Sequence, residues 1–312
     1  MLSRVANSIC WIARYMERTN GMLRLLRTNY ISSQDEATAF SWHSVLRLYS
    51  DLPVSQTEQI NHHSPKVLEH LILDNNNTAS VCNNIYRSRE NARAAQDHIT
   101  KEVWQCLNDY HHLIRDQQVH NQIRYGDPLT AFDSLIQHGM LFYGTVDSTM
   151  ARGEGFNYLN IGKFLERAIL SADMLNINLT ELKNNSLHQP SEALEWRYLL
   201  YSLSGYELYL KTYQGKFDTK NVVEQVLYNS NFPHSVLYCL QQLTRYFERL
   251  KEESLPDSYA EVEFLIGKTT NHVKYSNIEN AGEKAQQNFL QKVRKELFQI
   301  ANAFNQFYFG NT

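Results

Sequence analysis

Glycine and proline are scarce in this sequence, 12 and 6 of its 312 residues. That scarcity argues against an all-β chain with its many tight turns and favours long helices. Cysteine is scarcer still. Cys10, Cys82, Cys106 and Cys239 are far apart and form no Cys-x-x-Cys pair; with no secretion signal they read as reduced, mostly buried thiols of a cytosolic protein. No stretch reaches the roughly 18 uninterrupted apolar residues of a membrane helix. The first apolar residues are interrupted by Arg4, Asn7, Arg14, Glu17 and Arg18, so the opening is neither a signal segment nor a span. Charge is not biased either: the formal net charge is −3, and no block of like charges forms a nucleic-acid arm. The chain also lacks His-Glu-x-x-His, repeated Glu-x-x-His, a Walker loop, Gly-x-Gly-x-x-Gly and Gly-x-Ser-x-Gly. Asp109 and His112 have metal-ligand spacing but occur once, and His62-His63 sits in a polar stretch. The expectation is therefore no metal or nucleotide cofactor, no nucleic acid and no membrane.

What is present is helical. Apolar residues make up 43% of the chain and charged residues 20%, enough for a packed core. The segment Ile12-Ala13-Arg14-Tyr15-Met16-Glu17-Arg18-Thr19 recurs as Ile161-Gly162-Lys163-Phe164-Leu165-Glu166-Arg167-Ala168. At 100° per residue, Leu2, Val5, Ile9, Ile12, Met16 and Leu23 form one apolar stripe. Arg4, Asn7, Trp11, Arg14, Tyr15 and Arg18 fall opposite, and Glu17 lies at the boundary. The second copy repeats the layout with Glu166 at its boundary. A small residue, Ala13 or Gly162, sits one turn before each glutamate and lets a neighbour approach. A base, Arg14 or Lys163, sits three residues before, a spacing at which ion pairs contribute about 0.2–0.5 kcal/mol on an exposed helix.

Start and stop signals divide the rest of the chain. Helices are expected from Ser3 to Arg27, Glu36 to Tyr49, and Ser64 to Leu73, followed by a turn over Asp74 to Asn77. An arginine-rich segment follows from Thr78, through Arg87, Arg89, Glu90 and Arg93, and a new helix opens near Thr100. Asp127-Pro128 starts another. Arg152 to Gly155 breaks the chain before the second motif helix, Phe156 to Ile177. Leu179 to Gln189 is polar and turn-rich. Further starts fall at Ser191, with Trp196, Leu199, Leu203 and Tyr206 on one helix, at Asp218 or Thr219, and at Phe232 to Ser235. A helical stripe runs from Glu279 to Phe309. No hairpin signal is present. The predicted fold is all-α, a multi-helix bundle in a single domain, 1–312, with two related halves, 1–150 and 151–312, each built on one copy of the motif.

One polar constellation stands out: Glu17, Arg18, Arg89, Glu90, Arg93, Glu166 and Arg167. Arginine forks bind carboxylate or phosphate bidentately, so convergence of these groups would hold an anionic ligand. Equally, the carboxylates of Glu17, Glu90 and Glu166 could neutralise the arginines internally, and the arginine run could be a solvated face laced with ion pairs. Composition does not separate these.

The blocks Met1-Leu2-Ser3-Arg4-Val5-Ala6, Trp11 to Arg18, Arg89-Glu90-Asn91-Ala92-Arg93, Val103-Trp104 with Leu107-Asn108, Ile161 to Ala168 and Phe232-Pro233-His234-Ser235-Val236 resemble, in order and spacing, the alpha-E family of bacterial helical proteins with a Glu-Arg motif. The resemblance extends from residue 1 to about 245. The chain departs from the family pattern at Asn7, where an acidic residue is common, and at Lys163 and His234, where arginine is common. The resemblance implies partners: a circularly permuted ATP-grasp ligase and a transglutaminase-like peptidase, in a system that makes, attaches or trims a peptide-like product. It implies no reaction for this chain. The expected role is an accessory or scaffold component. The alternatives are an enzyme with Glu17 or Glu166 as general base acting on an anionic peptide-like substrate, or a pure interaction module.

Overall fold

The computed structural model describes residues 1–34, 40–184, 192–251 and 257–310. Among them there are fifteen α-helices and no strand. The chain divides into two compact units, Met1–Arg14 with Arg152–Thr312, and Tyr15–Ala151. Helix α1, Ser3–Ser32, contributes its first turns to the former and the rest to the latter.

The first unit is organised on α9, Glu154–Asn184. Phe156, Leu159, Ile161, Leu165, Ala168, Ala172 and Leu175 are all buried. A helix apolar on every side must be covered on every side. Its cover includes α13, Val236–Glu248, and α15, Glu283–Phe307. Helix α13 turns Val236, Leu237, Leu240, Leu243 and Phe247 inward. Helix α15 does the same with Leu290, Val293, Leu297, Ile300 and Phe304. Ser235 starts α13 by accepting from the Tyr238 amide at 3.0 Å and donating to the Asn229 carbonyl at 2.7 Å. The unit is completed by α10, Glu192–Ser202; α11, Tyr206–Tyr213; α12, Thr219–Leu227, capped by Asp218; and α14, Asp257–Lys274.

The second unit stacks α5, Val81–Ala94, on α6, Lys101–Ile114, and α6 on α8, Pro128–Thr149. Ser80, Thr100 and Asp127 cap these three helices through their side-chain oxygens. Shorter helices precede and separate them: α2, His43–Tyr49; α3, Val54–Ile60; α4, Ser64–Leu68; and α7, Gln117–Tyr125. Helix α4 runs into a π-helical turn, Glu69–Leu73.

The structure departs from the expected boundaries in several places. Helix α1 continues to Ser32 because Leu25 and Leu26 remain buried and Thr28 and Asn29 bond back to carbonyls four residues earlier. Helix α2 begins at His43, not Glu36; Glu36 itself and the expected Ser191 cap lie outside the described residues. Helix α9 continues through Leu179, which is buried, to Asn184. Tyr206 starts a helix of its own, since Ser204 adopts a left-handed conformation, φ 55°, that ends the preceding one. The tail helix begins at Glu283, after a 3₁₀ turn at Ile278–Asn280. Helices α3, α7 and α14 are additions to the expected set; for α7 the signal is Asp116, whose side chain caps it by accepting from the Gln118 amide at 2.6 Å.

Candidate functional site

In the first unit the second motif copy is closed around a buried ion pair. Arg14 Nε donates to Glu166 Oε2 at 2.8 Å. The wheel places Arg14 on the polar side, yet it is only 5% exposed and Glu166 only 2%. The Arg14 guanidinium also lies 4.3 Å over the Trp11 ring. Gly162 makes the close approach possible. A Cβ there would stand 2.2 Å from the Cys10 carbonyl oxygen, so only glycine lets α9 approach α1 at this point. The Cys10 thiol is buried in the same place. Burial pushes its pKa up to about 12, with Arg14 opposing and Glu166 adding to the rise. A thiol in that environment is a packing group, not a nucleophile.

Arg167, beside Glu166 in sequence, donates from Nη1 to the Pro233 carbonyl at 3.3 Å. Its guanidinium lies 5.5 Å from the Phe164 ring, and Lys163 Nζ lies 5.2 Å from the same ring. Phe164 stacks on Tyr246 and meets Tyr238 edge-on. Tyr246 meets Phe156 edge-on and lies under Arg245 at 5.9 Å and Arg249 at 5.4 Å. Arg152 covers Phe156 at 4.1 Å. Five cations thus surround one cluster of four rings, built from α9, α13 and the turn before α9. Each ring face draws a cation through its quadrupole. Sequence reading named Arg167 as a candidate site residue and Lys163 as the base of the motif, and none of the other three cations in either role. Arg245 and Arg249 lie four residues apart at the end of a capped helix, with Tyr246 beside Arg245, a spacing visible in the sequence, but nothing local says that Phe164 is their neighbour.

Two carboxylates on α9 are unusual. Burial raises the Asp173 pKa to about 6 against the Arg294 charge, 2.7 Å away, and Glu166 adds to the rise. Burial raises that of Glu181 to about 7, and Glu195 adds to it.

The second unit contains the other five predicted residues. Glu17 is 1% exposed and accepts from the Tyr143 hydroxyl at 2.7 Å. Gly139, one turn before Tyr143 on α8, leaves room for the Asn20 side chain. Arg18 and Arg87 both lie over the Tyr15 ring, at 5.8 Å and 5.9 Å. Arg89 is tied down by Asn108 and Glu90, at 2.8 Å and 2.7 Å, and lies 5.3 Å from the Trp104 ring. Arg93 reaches Glu90 at 3.7 Å, with its side chain 68% exposed. Glu90 therefore sits between two arginines. His111 is close to this set. Its pKa is lowered by burial first, then by Arg89, Arg115 and His112, with Glu90 opposing. Among the described residues no group of three His, Cys, Asp or Glu side chains could hold a metal ion, and no helix is long and apolar enough to cross a membrane.

Comparison with known proteins identifies the family. Residues 1–309 match a family model described as Alpha-E, a predicted alpha-helical domain with a conserved ER motif. The chain is similar to uncharacterized proteins of Mycobacterium bovis and Mycobacterium tuberculosis, 23% identical over 260 residues. The match covers 77% of this chain but 29% of each relative, so the chain spans under a third of their length. No solved structure matches it.

Proposed function

Since the chain belongs to the Alpha-E family, we propose that it is the ligand-holding accessory component of a peptide-assembling system, of the kind that pairs with an ATP-grasp ligase and a transglutaminase-like protein. In this reading the ligand is an acidic, peptide-like chain, and its seat is the cationic-aromatic cluster of the first unit. The observation that carries the proposal is the convergence of Arg152, Lys163, Arg167, Arg245 and Arg249 on Phe156, Phe164, Tyr238 and Tyr246. The exposed side chains of Arg245 and Arg249, whose guanidiniums lie by the Tyr246 ring, offer N–H edges for carboxylate forks. The motif glutamates support a scaffold role. Glu166 is buried against Arg14 and Glu17 is buried beneath Tyr143, so neither resembles an accessible general base.

The test is titration of the full-length protein with an oligo-glutamate peptide at low and high salt. Binding is expected at low salt and should weaken as salt screens the exposed charges. Arg245→Ala with Arg249→Ala should weaken it at least tenfold without changing the melting temperature, since both side chains are exposed. No binding, or binding indifferent to this pair, rejects the reading.

A further inference from the structure

A second constellation lies in the unit Tyr15–Ala151. Ser50 Oγ is 2.7 Å from His70 Nε2, and His70 Nδ1 is 2.9 Å from Asp74 Oδ2. The three groups form a chain of hydroxyl, imidazole and carboxylate in the order that nucleophilic catalysis requires.

Local structure sets the proton positions. The Leu52 amide donates to Ser50 Oγ at 3.2 Å, which directs the hydroxyl proton toward Nε2. The Asp74 carboxylate fixes the proton of the ring on Nδ1. Asp74 is itself held, because its other oxygen accepts from the Asn76 amide at 2.8 Å. His70 belongs to the π-helical turn Glu69–Leu73, closed by the Asp74 amide on the Glu69 carbonyl at 3.1 Å. Such turns are uncommon and recur at functional sites.

His70 and Asp74 line a polar cavity of about 390 Å³, a size that suits a small ligand; Ser50 is not part of the wall, but its hydroxyl is held 2.7 Å from His70, which is. Its wall also includes Lys66, Glu69, Asn75, Asn76 and Arg124. Glu69 lies 2.8 Å from Arg124 Nε. Among the described residues Lys66 has no ion-pair partner and is a seat for a carboxylate. Asn75 accepts from the Cys82 thiol through Oδ1 at 3.5 Å.

We propose that Ser50, His70 and Asp74 form a hydrolytic site for a small ester or activated amide whose acyl part carries a carboxylate, with Lys66 holding that carboxylate. Ser50 Oγ bonds to the acyl carbon while its proton passes to His70 Nε2. The bond from the acyl carbon to the leaving group breaks, and the leaving group takes that proton. Water then attacks the acyl-serine and gives a proton to Nε2, and Ser50 departs with it. The net change is addition of one water across the scissile bond. Asp74 is a positioning residue: it holds the ring with Nε2 toward Ser50.

The test uses the full-length protein with a fluorophosphonate probe and peptide mapping, alongside hydrolysis of 4-nitrophenyl hemisuccinate and 4-nitrophenyl acetate. The folded protein should be labelled at Ser50. Ser50→Ala should abolish labelling, and His70→Gln should slow it at least a hundredfold. Lys66→Ala should raise KM for the hemisuccinate and leave the acetate unchanged. If His70→Gln lowers the melting temperature, Asp74→Asn serves instead: slowed labelling at an unchanged melting temperature supports the site. Absence of label at Ser50, or labelling indifferent to His70→Gln and Asp74→Asn alike, overturns it. None of these variants touches the residues proposed to bind oligo-glutamate, so the two proposals fail separately.

Discussion

Arg14 and Glu166 show how a single residue's role depends on its partner. A charge with only 2% of its surface in water is tolerated because its counter-ion is 2.8 Å away. Breaking such a pair from one side leaves an uncompensated charge and costs about 3–5 kcal/mol, whereas an exposed pair costs about 0–1 kcal/mol. Glu166→Ala should therefore lower the unfolding free energy by about 3–5 kcal/mol in urea denaturation. The double variant Arg14→Met with Glu166→Leu should lose less than Glu166→Ala alone, because it removes both charges and keeps the volume. A loss of under about 1 kcal/mol for Glu166→Ala would mean that the pair is not closed from solvent.

At the scale of the helix, two glycines act in opposite ways. Gly162 on α9 has the Cys10 backbone where a Cβ would go, 2.2 Å from the carbonyl oxygen. Backbone cannot rotate away, so Gly162→Ala should force α1 and α9 apart and cost about 1–3 kcal/mol, the usual range for overpacking. Gly144 on α8 has nothing within 4 Å of its added Cβ. Gly144→Ala should instead stabilise by about 0.4–1 kcal/mol, since alanine loses less backbone entropy in a helix. Thermal melts of the two variants should move in opposite directions. Similar shifts for both would remove the argument that Gly162 is there for close approach.

For the whole molecule the two units carry opposite pH dependences. In the first, Asp173 and Glu181 have folded pKa values of about 6 and about 7, above their ordinary values. Their contribution to stability is complete below about pH 4 and is lost as pH rises through about 6 and about 7. With one pKa unit equal to about 1.4 kcal/mol, the loss is on the order of 1–3 kcal/mol for each. In the second unit the folded pKa of His111 is depressed. Its contribution is present above the ordinary imidazole value and is lost as pH falls through the folded one. Denaturation midpoints should fall between pH 5 and pH 8 in the parent, and Asp173→Asn with Glu181→Gln should flatten that slope. His111→Phe should leave it in place and raise the midpoint at pH 5 relative to the parent. A slope unchanged by the carboxylate variants would show that these groups are hydrated in the folded state.

The sequence by itself determined the fold class and most of the helix starts. The all-α fold follows from sparse glycine and proline with continuous helical periodicity. Thr100, Asp127, Asp218 and Ser235 cap where local chemistry requires, because an N-cap bond closes within three residues and needs nothing distant. The resemblance carried by the Glu-Arg blocks was legible for the same reason, being a pattern in one dimension. Tertiary structure decided the partners. Periodicity assigns Arg14 to a polar face, but only the approach of α9, permitted at Gly162, makes that face an interior one. The tie between Arg89 and Asn108 joins two helices, and the Ser50, His70 and Asp74 chain joins a loop to a π-helical turn. A hydrogen bond between elements depends on where the second element lies, and helical periodicity carries no information about that distance.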